Sequence, residues 1–488
     1  MEQLSGADTL LVFGEQGNVH NHISGLCFYD MASVPGGTLR FRNILTHFER
    51  RLPVTKAFRR RLVTVPHGVD RPYWVSDADV DIEFHVRHIA VPHPGDWRQL
   101  MILVARLHSQ ALDLGKPLWE VYVIEGLEKI PGLPPSCFAV LYKFHAAVLD
   151  GQAIGEIVRD VHTAAPRDDG APPADVALIS EPEPRALELY VRAVGHHARR
   201  GARLASLYGR TLKALASDGS RALLSRVTPS RRQAGAERMP LFSRAPECRF
   251  NAAVSPARVV EAVDFGHDDI AAIRVAVSHV GVNDILLATL SGALRLYLKG
   301  KGELPAESLR ALVPYAIRKP GFAGAAGPGA SGLPVGLCTD LREPLQRLHA
   351  VHDAQCAARH GRTADVGREL LPELVDGLPS RATHELLRLG LLGQVNCIAS
   401  HLNGPRQPVY LAGARALRIY PLGRIADHAA LNVSAVSYDG RIWLSVVACR
   451  ETLPDPAHFA ECLKTAFDEL RRAALTPRAR KASRRQAA

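Results

Sequence analysis

Lys143-Phe144-His145-Ala146-Ala147-Val148-Leu149-Asp150-Gly151 is the stretch on which the reading of this chain turns. It continues the apolar run Phe138-Ala139-Val140-Leu141-Tyr142, whose length and composition predict a buried strand. His145 then stands at the strand's end, with Asp150-Gly151 five residues further on. A glycine there lets the backbone turn tightly. An imidazole is chemically useful in such a place, because a pKa near ~6.5 lets it take or return a proton at neutral pH. Taken alone, the pattern is equally a core histidine followed by an ordinary Asp-Gly turn.

Composition bounds what surrounds this stretch. A chain of 488 residues predicts two domains, or three at most. With 47% hydrophobic and 22% charged residues it can bury a sizeable core. Its longest apolar runs, such as Met101-Ile102-Leu103-Val104, fall far short of the ~20 residues that a membrane span needs. Glu2 and Asp8 stand where a signal peptide would be cationic, so none is expected. The eight cysteines are scattered without a C-x-x-C pair and read as reduced thiols of a cytosolic protein. There is no metal-ligand spacing, P-loop or dinucleotide fingerprint, so neither a metal nor a cofactor is expected. Strand-helix alternation in both halves predicts the α/β class.

The residues from His145 to Gly151 resemble HHxxxDG, the active-site motif of the coenzyme-A-dependent acyltransferase superfamily. Nearly the whole chain is similar to the bacterial wax ester synthase/diacylglycerol acyltransferase family. Met1-Glu2-Gln3-Leu4-Ser5-Gly6-Ala7-Asp8 resembles that family's start, and Asn21-His22-Ile23-Ser24-Gly25-Leu26 its entry into a first strand. His108-Ser109, Leu112-Asp113 and Lys116-Pro117-Leu118-Trp119-Glu120 resemble its PLW block. Val282-Asn283-Asp284-Ile285-Leu286-Leu287-Ala288 resembles its ND motif, and Val313-Pro314-Tyr315-Ala316-Ile317-Arg318 its VPxxxR strand. Leu431-Asn432-Val433-Ser434 and Cys449-Arg450-Glu451-Thr452-Leu453-Pro454 resemble its closing strand and turn. The blocks occur in family order from end to end. The resemblance implies two similar domains with mixed sheets and helices, and an active-site tunnel at their interface. It further implies acyl-CoA as a donor substrate, and diacylglycerol or a long-chain alcohol as acceptor.

In the family pattern the second His is the general base, and here Ala146 holds its place. Acyl transfer from a thioester to a hydroxyl needs a group that takes the hydroxyl proton and returns it to the thiolate. Alanine can do neither. His145 is not expected to deputise, because neighbouring strand residues point to opposite faces. The resemblance makes Asp150 a brace that pairs with a distant arginine, for which Arg318 is the expected partner. A second departure lies at Asn396-Cys397-Ile398-Ala399-Ser400-His401-Leu402-Asn403-Gly404-Pro405, where the family commonly has an SNxPGP-like run and Asn403 stands for its first Pro. His401 there stands for Asn and is the one evident candidate for a relocated base. Gly327-Pro328 replaces a common Gly-Asn pair. Three readings stay open: a working or weakened acyltransferase, a non-catalytic acyl-CoA- or lipid-binding homologue, and an inactivated variant of an active enzyme.

Substrate contacts are expected from Asn283, Ser400, His401 and Asn432. Asn283 is equally explained as the N-cap of an apolar helix. Asn432 lies inside an apolar strand and must find hydrogen bonds if buried. His22, His108 and His428 read as structural or exposed. The formal charge of +11 concentrates between Arg185 and Arg226, where nine Lys or Arg meet only Glu188 and Asp218. Leu187, Val191, Val194, Leu204, Leu207, Tyr208, Leu212 and Leu215 recur there at helical spacing. That pattern predicts a pair of basic amphipathic helices broken near Gly195 to Gly201 and again near Ser217-Asp218-Gly219-Ser220. They are either helices packed on the domains with a solvated basic face or a surface for an anionic membrane or lipid droplet. No recognition motif accompanies the charge, so nucleic acid is not expected as a partner. His196-His197 has no Asp-Gly behind it and reads as part of an exposed helix. The expected organisation is a first acyltransferase unit over 1–165, a Pro-rich linker and basic helices over 166–249, a second unit over 250–475, and a basic tail over 476–488.

Overall fold

The computed structural model describes residues 1–53, 55–77, 79–149, 153–166, 181–217, 244–314, 332–360 and 395–476, with the side chains of 153–156, 202–217 and 360 left out. Asp150, Gly151, Arg318, most of the Pro-rich linker and nearly all of the tail lie outside these residues.

The run that opened the argument is strand β7, Cys137–His145, and all nine of its residues are buried. It lies between β2, His22–Asp30, and β6, Trp119–Glu125, antiparallel to both. Strand β5, Val86–Ala90, extends the sheet parallel to β6. On the far side of β2 the sheet is completed by residues from more than 250 positions later. These are β13, Ala414–Leu422, and β12, Tyr410–Leu411, so the order is β12-β13-β2-β7-β6-β5. A second six-stranded sheet runs β10 (Gly332–Gly336), β9 (Arg310–Pro314), β11 (Cys397–Asn403), β14 (Leu431–Tyr438), β15 (Arg441–Cys449) and β8 (Arg258–Gly266). Its β9/β11 and β11/β14 pairs are parallel and the others antiparallel. Both sheets are mixed and packed with helices, which is the expected α/β class. The expected division of the chain at 165 and 250 is crossed, since Tyr410–Leu422 returns from the second unit into the first sheet.

Each sheet owes its place to a helix with one apolar stripe. Leu100, Met101, Val104, Ala105 and Leu107 of the Trp97–Ser109 helix are buried in the first core. Trp97 Nε1 donates to Glu261 Oε1 of β8 at 2.6 Å, which ties that helix to the second sheet. The Val282–Gly300 helix buries thirteen residues against the second sheet and the Pro456–Leu475 helix, among them Ile285, Leu290 and Leu294. At roughly 1.5–3 kcal/mol per large apolar side chain, this burial is the main driving force of each half. Lys143 is the exception within β7. It is fully buried, and its Nζ donates to the carbonyls of Leu107 (3.2 Å) and Gln110 (2.6 Å) and to Glu120 (3.4 Å). The cation thus closes the carboxyl end of the Trp97–Ser109 helix, where free carbonyls and the helix dipole both favour it.

The basic segment is one continuous helix, Ala186–Ser217, not the expected pair broken near Gly195 to Gly201. It rests on a small sheet of β1 (Glu2–Gln3), β4 (Tyr73–Ser76) and β3 (Arg60–Val63), with Leu189 packed on Val63, Val65, Tyr73 and Val75. His196 Nδ1 lies 2.9 Å from Asp70 Oδ2, and Arg200 reaches Asp70 Oδ1 at 2.7 Å. His196 is therefore docked by a buried carboxylate and is not part of an exposed face.

Several imidazoles are buried in the neutral form. Burial pushes His108 down to about 3 and His162 down to about 4, and holds His22 well below its usual value. In the unfolded chain each takes a proton near ~6.5, so below that pH the unfolded state binds more protons than the folded one. Stability is then lost as pH falls from ~6.5, by up to about 1.4 kcal/mol per pH unit for each such group, until the folded pKa is passed. The melting temperature is expected to stay level above about pH 7 and drop steeply between about pH 6.5 and 4.5. A level profile through that window would mean that these imidazoles are charged in the fold.

Candidate active site

Strand β7 ends at His145, and Ala146 opens a short 3-10 turn, Ala146–Val148. The expectation that position 146 continues the strand is corrected by this turn. Leu118 of the Pro-Leu-Trp block accepts the His145 backbone N–H at 3.0 Å, and Asn21 accepts the Ala146 N–H at 2.7 Å. The His145 ring is fully buried, and its Nδ1 accepts from the Ala147 N–H at 3.1 Å. That bond leaves the proton on Nε2, which lies 3.4 Å from Glu15 Oε1. With one nitrogen held by the backbone and the other protonated toward a carboxylate, His145 has no lone pair for a substrate. The Ala146 methyl is buried with Leu4, Leu11, Trp74 and Leu118.

A polar seam leads away from this turn. Arg424 donates to Asn21 Oδ1 at 2.7 Å, and the Arg424 carbonyl accepts from Asn432 Nδ2 at 2.9 Å. Ser434 donates to Asn432 Oδ1 (2.7 Å) and meets Ser400 Oγ at 2.9 Å. Asn432 is thus fully engaged within the protein and only 3% exposed. It is Gly423 that permits the approach, because a Cβ there would fall 2.3–2.4 Å from the Asn432 side chain. Beside the seam, Ser24 Oγ lies 2.9 Å from His108 Nδ1, and His22 Nε2 donates to the His108 carbonyl at 2.6 Å.

The seam ends at a cleft in the second half. The helix face of β11 and β14 presents Ala399 and His401 beside Val433 and Ala435, and the Val282–Gly300 helix closes it with Asn283, Leu286 and Leu290. The cleft is open to solvent, has an internal volume of about 50 Å³ and is mostly apolar. His401 Nδ1 lies 2.8 Å from Asn283 Oδ1, and His401 Nε2 lies 2.8 Å from Ser437 Oγ. Burial pushes the His401 ring down to about 4, so it is neutral at pH 7. Asn283 is not the helix cap. Gly281 holds that position, and Asp284 caps the helix by accepting the Gly281 N–H at 2.7 Å. Asp284 also takes His352 Nδ1 at 2.8 Å, and His352 Nε2 lies 3.6 Å from the Cys356 thiol.

The residues singled out in the sequence therefore fall in two places. Asn283, Ser400 and His401 share the second-half cleft, with Asn432 behind them on the seam. His145 and Ala146 sit in the first half, and Asp150, Gly151 and Arg318 lie outside the described residues. Ser437, Asn21, Glu15 and Arg424 escaped the sequence reading. For Ser437 there was one usable signal, a hydroxyl among apolar residues of β14.

Two mixed sheets, the first completed by strands from the second half of the chain, with a motif turn at the end of a central strand and an apolar cleft, define a two-unit acyltransferase architecture. Residues 4–286 match the wax ester synthase/diacylglycerol acyltransferase catalytic domain, and residues 329–471 match the WS/DGAT C-terminal domain. The chain belongs to the wax ester synthase/diacylglycerol acyltransferase family and is by family an acyltransferase. Two Mycobacterium tuberculosis proteins named for diacylglycerol O-acyltransferase activity are similar to it. One is 29% identical over 486 residues, covering 97% of this chain and 99% of its own. The other is 30% identical over 462 residues, covering 92% of each. The wax ester synthase/diacylglycerol acyltransferase of Marinobacter aquaeolei VT8 shares the fold, with a TM-score of 0.64 over 97% of this chain and 99% of that one at 24% identity. The first condensation domain of the calcium-dependent antibiotic synthetase does so at a TM-score of 0.55 and 15% identity, over 98% of this chain and 96% of its own.

The seam can be tested at its tightest point. Gly423→Ala forces a methyl into Asn432 and is expected to cost about 1–3 kcal/mol, read as a lower melting temperature. Gly25→Ala, where a Cβ meets nothing within 4 Å, is the control and should stay within about 0.5 kcal/mol. Equal melting of the two variants would show that the approach of Gly423 to Asn432 is not a constraint.

Proposed function

We propose that this chain transfers a long-chain acyl group from coenzyme A to the hydroxyl of diacylglycerol or a long-chain alcohol, at a rate held down by Ala146. Acyl-CoA is a substrate in this reading, and no cofactor is required. The observation that carries it is the motif turn itself. Its frame, from Leu118 through His145 to Asn21, is held by backbone hydrogen bonds, while the position of the base holds a methyl group. A general base contributes ~10²–10⁴-fold, or roughly 3–5 kcal/mol of barrier. Ala146→His is expected to raise the release of free coenzyme A from palmitoyl-CoA, with diacylglycerol or hexadecanol present, by about that factor. The larger ring must also enter the cluster of Leu4, Leu11 and Leu118, so the same variant should lose about 1–3 kcal/mol of stability. A folded variant that gains no activity would mean that more than the base is missing. Acyl-CoA binding without turnover in either protein would favour the non-catalytic, lipid-binding reading.

The acceptors of this reaction reside in membranes or lipid droplets, so a cytoplasmic protein reaches them by docking at the surface. Among the described residues no helix is long and apolar enough to cross a membrane. What supports docking is the outer face of the Ala186–Ser217 helix. Leu187, Val191 and Val194 are 73%, 66% and 72% exposed, while Leu189 and Ala193 of the inner face are buried. Arg185, Arg192 and Arg199 flank the exposed stripe. Apolar insertion beside cations suits an anionic interface, where each cation adds about 1 kcal/mol. Sedimentation with phosphatidylserine liposomes is expected at low salt and is expected to be lost in Leu187→Ser/Val191→Ser/Val194→Ser. Undiminished sedimentation of that triple variant would remove this face from the docking surface.

A further inference from the structure

The parallel register of β11 and β14 sets His401 opposite Ala435 and Asn403 opposite Ser437. Side chains two apart along a strand share a face, so Ser437 follows Val433 and Ala435 on one face of β14, next to the cleft that those two residues and His401 line. From there its Oγ reaches His401 Nε2 at 2.8 Å, while His401 Nδ1 is held at 2.8 Å by Asn283 Oδ1. Asn283 Oδ1 can only accept, so it fixes the proton on Nδ1 and leaves the lone pair on Nε2. The Ser437 hydroxyl then donates into that lone pair. Nucleophile, base and orienting group thus stand in one hydrogen-bonded line, the arrangement that activates a serine. We propose that Ser437, His401 and Asn283 form a nucleophilic centre that accepts a fatty acyl group as an ester on Ser437.

The donor named here, acyl-CoA, rests on the function proposed above. Ser437 Oγ attacks the thioester carbonyl, forming the C–O bond as the C–S bond breaks. The hydroxyl proton passes to His401 Nε2 and from there to the departing thiolate. In the second half the acceptor hydroxyl gives its proton to Nε2 and attacks the ester carbonyl, and Ser437 leaves with that proton. Exchanging a thioester for an ester is downhill and needs no further reactant. Leu286, Leu287, Leu290, Val313 and Leu444 line the cleft beside His401 and give the first carbons of an acyl chain an apolar wall. Neutrality of His401 at pH 7 supports its role as acceptor. A ring held only for structure would show the same bonds but would form no covalent product.

The test uses the full chain with two donors, palmitoyl-CoA and p-nitrophenyl decanoate. Acid-quenched protein is read by intact mass and peptide mapping, and nitrophenolate release is followed for a burst. The expected result is one acyl group per chain on the Ser437 peptide, stable to neutral hydroxylamine as an oxygen ester. Ser437→Ala should abolish the adduct, and His401→Ala should slow its formation by about 10²–10⁴-fold. Ser437→Cys, which keeps the nucleophile, should give a hydroxylamine-labile adduct at the same position and guards against loss of folding in the alanine variant. An adduct from the nitrophenyl ester but not from palmitoyl-CoA would uphold the centre and count against coenzyme A as donor. Unchanged coenzyme A release in Ser437→Ala, with no adduct on the parent, would overturn the centre and leave the proposed function standing. A hydroxylamine-labile adduct on Cys356 alone would likewise overturn it.

Discussion

The return of Ala414–Leu422 into the first sheet is the constraint from which the arrangement of the rest follows. Strand β13 pairs with β2 from Asp30 to Ser24 and so converts β2 from an edge into an interior strand. Without it, β2 would present a row of unpaired backbone groups, a standing invitation to wrong pairing. The same crossover carries Gly423 and Arg424 to Asn21 and Asn432, and it sets Tyr420 against Phe28, Trp97 and Trp443. Two sheets that could have been separate cores thereby share one, since Val260, Trp443 and Val447 of the second sheet are clustered with Phe28 and Val140 of the first. Such a chain cannot lose one half and keep the other intact.

Lys143 and Gly423 show how closely polar groups are matched across this shared core. A fully buried ammonium is tolerable only because three acceptors surround it, and removal of one partner from such a set costs several kcal/mol. The carbonyls it satisfies belong to the end of the Trp97–Ser109 helix, so the central strand and the helix beneath it are fixed in mutual register. At Gly423 the constraint is steric. The absence of a side chain lets Asn432 bond to the next residue's carbonyl, and Asn432 then orients Ser434 and Ser400.

Periodicity and local chemistry made part of this legible in advance. The strand at Phe138–Tyr142 and the helix behind Asn283-Asp284 could be read because each has a long, regular apolar pattern. The crossover of Ala414–Leu422 could not, because alternation states that a strand has one buried face and says nothing of which sheet receives it. Gly195 and Gly201 suggested a break in the basic segment, at about 1 kcal/mol of helix propensity each. Packing of Leu189 and the ties from His196 and Arg200 to Asp70 outweigh that cost, and they are long-range contacts that no local pattern records. Residue type leaves Asn283 open to two readings, cap or substrate contact; the cap bond comes from Asp284, and the Asn283 amide faces the cleft. His401 could be suspected from its departure from the family pattern, but its partner Ser437 lies on a neighbouring strand and becomes visible only through the parallel register.

The two histidines of the candidate sites differ in what their surroundings leave them able to do. His145 gives one nitrogen to a backbone N–H and turns the other toward Glu15, inside a core without solvent. Its ring fastens the motif turn, and a neighbouring residue would have to carry any proton. Ala146 cannot. His401 lies on a half-buried face, with an amide oxygen on one nitrogen and a hydroxyl on the other. That hydroxyl is a group acyl chemistry can use, and the ring beside it is neutral at working pH. Proton transfer in an acyltransferase needs a basic lone pair next to a movable proton and an apolar surface for the chain. Among the described residues of these two sites, it is the cleft of His401 that brings all three together.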